Sequence, residues 1–159
     1  MDSQSSYTMQ DVEAFASKFY AGRQLLLTPY AYNTTFTSLA PAATASNIIN
    51  IAANADFILL MLHHRASGTA ATSSTAATKV CPFVRILITD SGSNEQFTNS
   101  AVDLENYSTN ANIVNDLPYP RIISGRSTLT VQVTNYDTTT TYSTLDVSFE
   151  GVLVRAYSA

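Results

Sequence analysis

The sequence predicts a mainly β fold, an antiparallel β-sandwich or jelly roll preceded by one short N-terminal amphipathic helix. Residues 129–133 and 145–149 alternate strictly between apolar and polar side chains. This alternation is typical of strands with one buried and one solvated face. The polar residues 135–138 between them predict that the two strands form an antiparallel hairpin. Short apolar segments separated by turn residues recur along the chain, so we expect about seven or eight strands in all.

The first predicted element is a helix over residues 9–21. Thr8 and Asp11 have the spacing of a capping box, and Gly22 is a natural end. The apolar side chains of the helix fall on one face, formed by Val12, Phe15, Ala16 and Phe19. Because so short an amphipathic helix is not stable alone, we expect it to dock, either on its own sandwich or on a neighbouring subunit. The polar arm at residues 1–7 precedes it, and exchange of this arm between subunits stays open.

We divide the chain at residue 46. Residues 1–46 comprise the arm, the helix and an extended connection, in which Pro29 rules out helix, and residues 47–159 form the sandwich. In the sandwich we expect strands at residues 47–52, 57–64, 80–89 and, more weakly, 97–104, and the strand at 57–64 is expected to be covered on both faces. Between them we expect a flexible surface loop at 66–78, a turn at 90–94 and an Asn-rich loop at 105–116. The segment from residue 117 is too rich in proline for a central position in a sheet. At Gly151 the buried phase of the last strand shifts by one residue, which predicts a bulge or bend.

Composition and charge exclude several classes of function. The 159 residues are 45% hydrophobic but only 13% charged, which is about half the usual charged fraction. Such a surface suits packing against neighbours, although a Thr-rich sheet surface without a partner is the alternative. A net charge of −4 with eight scattered basic residues argues against nucleic acid as a partner. The longest apolar segment, residues 57–62, is too short to span a membrane.

Two further features concern the cellular environment. The N-terminal residues are polar and lack a basic and an apolar region, so we expect no secretory signal. Cys81 is the single cysteine, so the fold does not depend on an internal disulfide. Because Cys81 lies beside apolar residues, we expect a buried, inert thiol.

No segment of the sequence carries a recognisable catalytic or metal-binding motif. His63 and His64 are neighbours on a predicted strand, so their side chains point to opposite faces and do not share a metal ion. Residues 90–95 alternate oxygen-bearing side chains as a calcium loop does, but an ordinary Asx turn explains them. There is no phosphate-binding loop, nucleophile elbow or Cys/His cluster. We therefore expect a non-enzymatic protein without a metal or cofactor.

Arginines and tyrosines near predicted loops stand out as candidates for surface contacts. Arg121 and Arg126 are either solvated charges or ion-pair partners of acidic residues, such as those at 103–105, in another subunit. Tyrosines outnumber phenylalanines nine to seven, and tyrosine is favoured where an aromatic face is buried while its hydroxyl meets water or a partner. With the helix face, the predicted interface comprises Val12, Phe15, Phe19, Tyr107, Tyr119, Arg121, Arg126 and Tyr136.

Four stretches resemble virion structural proteins of tailed bacteriophages of the β-sandwich or jelly-roll type: residues 47–51 leading into 56–59, residues 83–93, residues 117–122, and residues 129–135 followed by 145–151. The last segment carries the pattern TVQVTN, then a polar turn, then VSFEG. The resemblance covers about two thirds of the chain and does not include the N-terminal third. It implies that a strand meander forms a jelly-roll-like sandwich, and that such a protein decorates the capsid or builds the neck and tail connection. It implies no catalytic residue.

We therefore expect a capsid decoration or cement protein that is located in the virion after assembly in the host cytoplasm. Its expected partners are the major capsid protein and further copies of itself, with a trimer favoured, and neither nucleic acid nor membrane. A ring-forming neck or tail adaptor is one alternative. A carbohydrate-binding, adhesin-like module, in which Tyr107, Tyr119 or Tyr136 stacks on a sugar, is the other, and the lack of tryptophan weighs against it.

Overall fold

The computed structural model describes residues 7–68, 81–110 and 116–157. The predicted fold class is confirmed: the structure is mainly β, with 60% strand and antiparallel sheets, and it has one short N-terminal helix. Most of the predicted N-terminal arm and of the predicted loop at residues 66–78 lies outside the described residues. In the described part of the chain, no helix has the length and apolar character needed to cross a membrane.

The elements follow one another in an order dominated by strands. They are α1 (Met9–Phe19), β1 (Gln24–Leu39), β2 (Thr44–Asn50), β3 (Asp56–Gly68), β4 (Val84–Asp90), β5 (Glu95–Gln96), β6 (Val102–Asp103), α2 (Leu104–Tyr107), β7 (Thr109–Asn110), β8 (Asp116–Ile123), β9 (Thr128–Asn135) and β10 (Tyr142–Tyr157).

The strands form two sheets. In sheet A, β10 lies between β1 and β3, and β8 and β7 both pair with β3. In sheet B, β9 lies between β2 and β4, and the two-residue strands β5 and β6 both pair with β4. All these pairs are antiparallel except the two-residue contact between β3 and β7. β8, which contains Pro118 and Pro120, pairs only with β3 among the described strands, in agreement with the expectation that prolines exclude it from a central position.

The main core lies between the sheets. Sheet A contributes the fully buried Phe57, Leu145 and Phe149, and sheet B contributes Ile86 and Val131. On β4 the buried apolar residues are Val84, Ile86 and Ile88, as the alternation in the sequence predicts.

A second apolar cluster lies on the outer face of sheet A, beneath α1. Val12, Ala16 and Tyr20, spaced four residues apart, pack against residues of β3 and β10, namely Ile58, Leu60, Val152 and Val154. The helix therefore docks on its own sandwich. This contact also covers the second face of β3, as the continuous apolar run at residues 57–64 predicts.

The predicted hairpin at the C-terminus is wrong. β9 pairs with β2 and β4 in sheet B, whereas β10 pairs with β1 and β3 in sheet A, so residues 136–141 cross between the sheets. The fully buried Asn135 fixes the start of this crossing, because its Nδ2 donates hydrogen bonds to the Leu39 and Thr140 carbonyls at 3.1 and 2.9 Å. Period-two alternation identifies the buried face of a strand but not its partner, and both sheets of a sandwich have such a face.

The bulge predicted at Gly151 is present, but the buried phase of β10 does not shift there. The register between β10 and β3 shifts between Glu150 and Gly151, and the extra residue belongs to β3. Val152 and Val154 are buried because α1 covers them, whereas Leu153 stays in the main core. A Cβ atom at position 151 would lie 1.9 Å from the Ile58 carbonyl oxygen, so only glycine fits this close approach.

Two other expectations change with the structure. The segment expected to be an extended connection, residues 25–36, belongs to β1, which pairs with β10 along almost its whole length, and the division at residue 46 falls within β2. Cys81 is exposed rather than buried, because it lies on the outward phase of the alternation that leads into β4: Pro82 and Val84 are buried, whereas Phe83 is exposed.

Candidate functional site

A groove of about 490 Å³ opens where α1, β8 and the turn after β4 meet. We call it the α1–β8 groove. It is lined by Phe15, Phe19, Asp90, Ser93, Glu95, Tyr119, Pro120, Arg121, Ile122 and Ser124. Four of the predicted interface residues, Phe15, Phe19, Tyr119 and Arg121, are thus brought together in one place. Its volume lies in the range of ordinary ligand-binding clefts.

The helix provides one wall through the residues that do not reach the core. Because Val12, Ala16 and Tyr20 form the buried stripe, Phe15 lies on its flank and Phe19 is left 61% exposed. The first turn of α1 is fixed by the predicted capping box, in which the Asp11 amide donates to Thr8 Oγ1 at 3.1 Å and the Thr8 amide donates to the Asp11 carboxylate at 3.0 Å. The bond from the Thr8 amide, followed by the interaction with the Thr8 side chain, favours the charged form of the Asp11 carboxylate and lowers its pKa.

β8 provides the opposite wall. Tyr119 is 71% exposed, and its ring makes an edge-to-face contact with Phe15 at 5.4 Å between centroids. Tyr7 links the start of the described chain to this strand, because its amide donates to Asp116 at 2.7 Å and its hydroxyl donates to the Leu117 carbonyl. Partial burial, with a smaller contribution from the Asp116 charge, raises the pKa of the Tyr7 hydroxyl. These bonds fix the start of β8, just before Tyr119.

Among the described residues, Arg121 is the one positively charged residue in the lining of the groove. Arg121 Nη2 donates to Glu95 Oε2 at 3.3 Å, and the guanidinium carbon lies 4.3 Å above the centre of the Phe97 ring. Arg121 is thus engaged within its own chain. The acidic residues 103–105, expected as partners of arginines in another subunit, bond locally in this chain: Asp103 accepts from the Glu105 amide at 2.9 Å.

The turn that brings Glu95 to Arg121 is an Asx turn, as expected from residues 90–95. Asp90 is 2% exposed. Its carboxylate accepts hydrogen bonds from the Gly92 amide at 2.8 Å and from the Ser93 hydroxyl at 3.1 Å. These bonds satisfy Asp90 inside the turn, so the solvent-facing carboxylate at this end of the groove is that of Glu95.

The remaining predicted interface residues lie elsewhere. Val12 is buried beneath the helix. Tyr107 packs partly buried against the main core, and its burial, opposed by the Arg121 charge, raises its pKa. Arg126 occupies a left-handed turn with φ of 66° and donates to the Ala53 carbonyl at 3.3 Å. Tyr136 lies under the guanidinium of Arg85 at 4.3 Å.

A second polar cluster is buried between β3 and α2. His64, whose side chain is 1% exposed, has Nε2 2.6 Å from a Glu105 carboxylate oxygen and Nδ1 3.0 Å from Ser108 Oγ. These residue types match a nucleophilic triad, but here Ser108 is buried, at 2% exposed. The cluster joins β3 to α2, because His64 contacts both Glu105 within α2 and Ser108 directly after it. We call it the buried clasp. His63 points to the opposite face, as predicted, 3.5 Å from Glu150.

Sequence reasoning missed three contributors to these sites. Glu95 and Phe97 gave no signal because their contacts with Arg121 span more than twenty positions along the chain. The pairing of Glu105 with His64 spans 41 positions and depends on how α2 packs against β3. Only the alternation of oxygen-bearing residues at 90–95 indicated that this turn is ordered.

Comparison of the chain with protein-family models, with curated proteins and with solved structures found no match.

Proposed function

We propose that the chain is a non-enzymatic virion structural protein, a capsid decoration protein that docks on a neighbouring capsid subunit through the α1–β8 groove. The observation that carries the proposal is the exposure of Phe19 and Tyr119, at 61% and 71%, in the lining of one groove on a charge-poor sandwich. Clustered exposed aromatic side chains are typical of the centre of a protein interface.

The anchoring of the groove supports this function. The helix wall is fixed by Val12, Ala16 and Tyr20, which belong to the second apolar cluster beneath α1, and β8 is fixed by its pairing with β3. A surface that is already ordered loses little conformational entropy when a partner binds. A decoration protein, which binds a finished shell as a folded unit, benefits from such a surface.

The buried His64 cluster supports the non-enzymatic part of the proposal, because the arrangement in the described residues that most resembles a catalytic one has no accessible nucleophile. The low charge of the chain, 13%, supports an assembly role, since few charged groups must be desolvated when subunits pack.

The first experiment measures the copy number of this chain per purified particle of the virus that encodes it, by quantitative mass spectrometry against the major capsid protein. A number comparable to that of the capsid protein is expected. A number that corresponds to one ring would replace decoration by a neck or tail adaptor role. Absence from particles would overturn the virion proposal.

A second experiment tests the groove itself. Particles lacking the chain are incubated with the purified protein or its variants, and the bound amount is measured. Replacing Phe19 and Tyr119 by serine is expected to abolish most binding, with the thermal unfolding midpoint little changed because both side chains are exposed. Phe83→Ser is the matched control: it is 65% exposed and lies at the other end of β4 from Asp90, ~23 Å away along the strand. Equal loss with the control would show that the groove is not the docking surface.

A further inference from the structure

We infer that the α1–β8 groove selects a partner segment that carries an arginine or lysine beside an apolar residue. The inference rests on the proposed docking function and specifies its chemistry. It follows from which charges and which ring faces in the groove are still free to meet a partner.

The positive charge in the groove, that of Arg121, is already paired with groups of the same chain. Arg121 bonds Glu95 at 3.3 Å, stacks on Phe97 at 4.3 Å, and has a side chain only 29% exposed. Its Nε atom is buried, so a ligand approaching from the groove does not reach it. An acidic partner that approached this guanidinium would come close to the exposed Glu95 carboxylate and be repelled by its charge.

The negative charge, in contrast, faces solvent. The Glu95 side chain is 68% exposed, and its hydrogen bond to Arg121 uses one of its two carboxylate oxygens, Oε2. Asp90 adds negative potential from beneath, although its own oxygens bond Gly92 and Ser93. The free charge of the groove is therefore anionic, in line with the net charge of −4 of the whole chain, and it attracts a cationic group.

The aromatic wall suits the same occupant. The Tyr119 ring is 71% exposed and contacts Phe15 edge to face, and a guanidinium or ammonium group binds the face of such a ring. The aliphatic stem of arginine or lysine covers apolar surface while its charged end stays near water. Phe19, 61% exposed, provides that surface and room for a neighbouring leucine.

The test is a nuclear magnetic resonance titration of the full chain with three acetylated, amidated peptides: Leu-Arg-Leu, Leu-citrulline-Leu and Leu-Glu-Leu. Citrulline has the shape of arginine without its charge. The arginine peptide is expected to shift signals of Tyr119, Phe19 and Glu95, and the citrulline and glutamate peptides are expected to bind several-fold more weakly. Equal binding of the citrulline peptide, preference for the glutamate peptide, or no binding of any peptide at millimolar concentration would overturn the inference.

Variants separate the two components. Glu95→Gln is expected to weaken binding of the arginine peptide about three-fold, the effect of an exposed ion pair. Tyr119→Ala is expected to weaken it about three-fold through loss of the cation–π contact. Glu13→Gln removes an exposed carboxylate of α1 outside the groove lining and is expected to leave binding unchanged. If Glu13→Gln weakens binding as much as Glu95→Gln, net charge rather than the groove is responsible.

The outcomes also separate this inference from the docking function. Peptide selectivity without any copies in particles would leave the groove chemistry standing and overturn the virion role. Abundant copies in particles without peptide selectivity would support the virion role and overturn the inferred chemistry of the groove. Titration with cellobiose covers the remaining class of ligand: shifts at Tyr119 with cellobiose but not with the arginine peptide would reassign the groove to saccharides.

Discussion

The hydroxyl of Tyr20 donates a hydrogen bond to a carboxylate oxygen of Asp56 at 2.5 Å. The other Asp56 oxygen accepts from the Gly125 amide at 2.7 Å. Asp56 thus joins the end of α1, the start of β3 and the turn between β8 and β9 in one network. Since Tyr20 directly follows Phe19, this network also sets the position of the helix wall of the α1–β8 groove.

Replacing Tyr20 by phenylalanine should lower the free energy of unfolding by about 1–3 kcal/mol, because Asp56 loses a charge-assisted partner in a partly buried position. Urea denaturation followed by circular dichroism measures the change. Tyr157→Phe is the control, since Tyr157 is 50% exposed, and it should have little effect. Equal unfolding free energies for wild type and Tyr20→Phe would show that the network does not stabilise the helix.

The hydrogen bond between Tyr20 and Asp56 should also make the stability of the fold depend on pH in the alkaline range. Burial, followed by the hydrogen bond and charge of Asp56, raises the pKa of Tyr20 above its ordinary value of 10.0. A raised pKa in the folded state means that the stabilisation is complete below pH 10.0 and is lost as the pH rises toward the folded-state pKa. Unfolding of the wild type should therefore become easier at alkaline pH, and the Tyr20→Phe variant should show a smaller loss. Parallel curves for the two proteins would contradict this assignment.

Gly151→Ala should destabilise the sandwich by at least about 2 kcal/mol or prevent folding, because the new Cβ would collide with the Ile58 carbonyl. The strand cannot move away, since β10 is paired on both sides. Gly68→Ala is the matched control: among the described residues no atom lies within 4 Å of a Cβ built there. Thermal and urea unfolding of both variants distinguishes a steric effect at position 151 from a general cost of replacing glycine.

His64→Leu should cost about 1–3 kcal/mol, because the buried Ser108 hydroxyl and the Glu105 carboxylate lose their partner. His63→Leu should cost less than about 1 kcal/mol, since its contact with Glu150 is long, at 3.5 Å, and partly solvated, and its buried Nδ1 has no hydrogen bond to lose among the described residues. Urea denaturation of the two variants compares neighbouring residues on opposite faces of one strand. A larger loss for His63 would contradict the role of the buried clasp.

Asp137→Asn should reduce the acid sensitivity of the fold. The Thr139 and Thr140 amides donate to Asp137 at 2.9 and 3.0 Å and lower its pKa below 3.8. A lowered pKa in the folded state gives stability above pH 3.8 that is lost as the pH falls through the folded-state value. Unfolding midpoints measured across this acidic range should fall less steeply for Asp137→Asn than for the wild type. Identical slopes would show that this carboxylate does not act on stability.

Local features of the chain were predicted well, because their causes are local. The helix with its Thr8–Asp11 box, the buried face of β4 and the Asx turn at Asp90 depend on residues only a few positions apart. The candidate site was predicted in part: Phe15, Phe19, Tyr119 and Arg121 were selected by residue type. Their meeting in one groove was not predicted, since it depends on α1 lying across the outer face of sheet A.

By itself the sequence determined the buried faces of β4, β9 and β10 and where the helix begins, because side-chain periodicity and capping are set by neighbouring residues. Only the tertiary structure decided which strands pair, that β9 and β10 belong to different sheets, and that Arg121 binds Glu95 and Phe97. These choices follow from packing between segments far apart in the chain, whose alternation fits several partners equally well until the whole core closes.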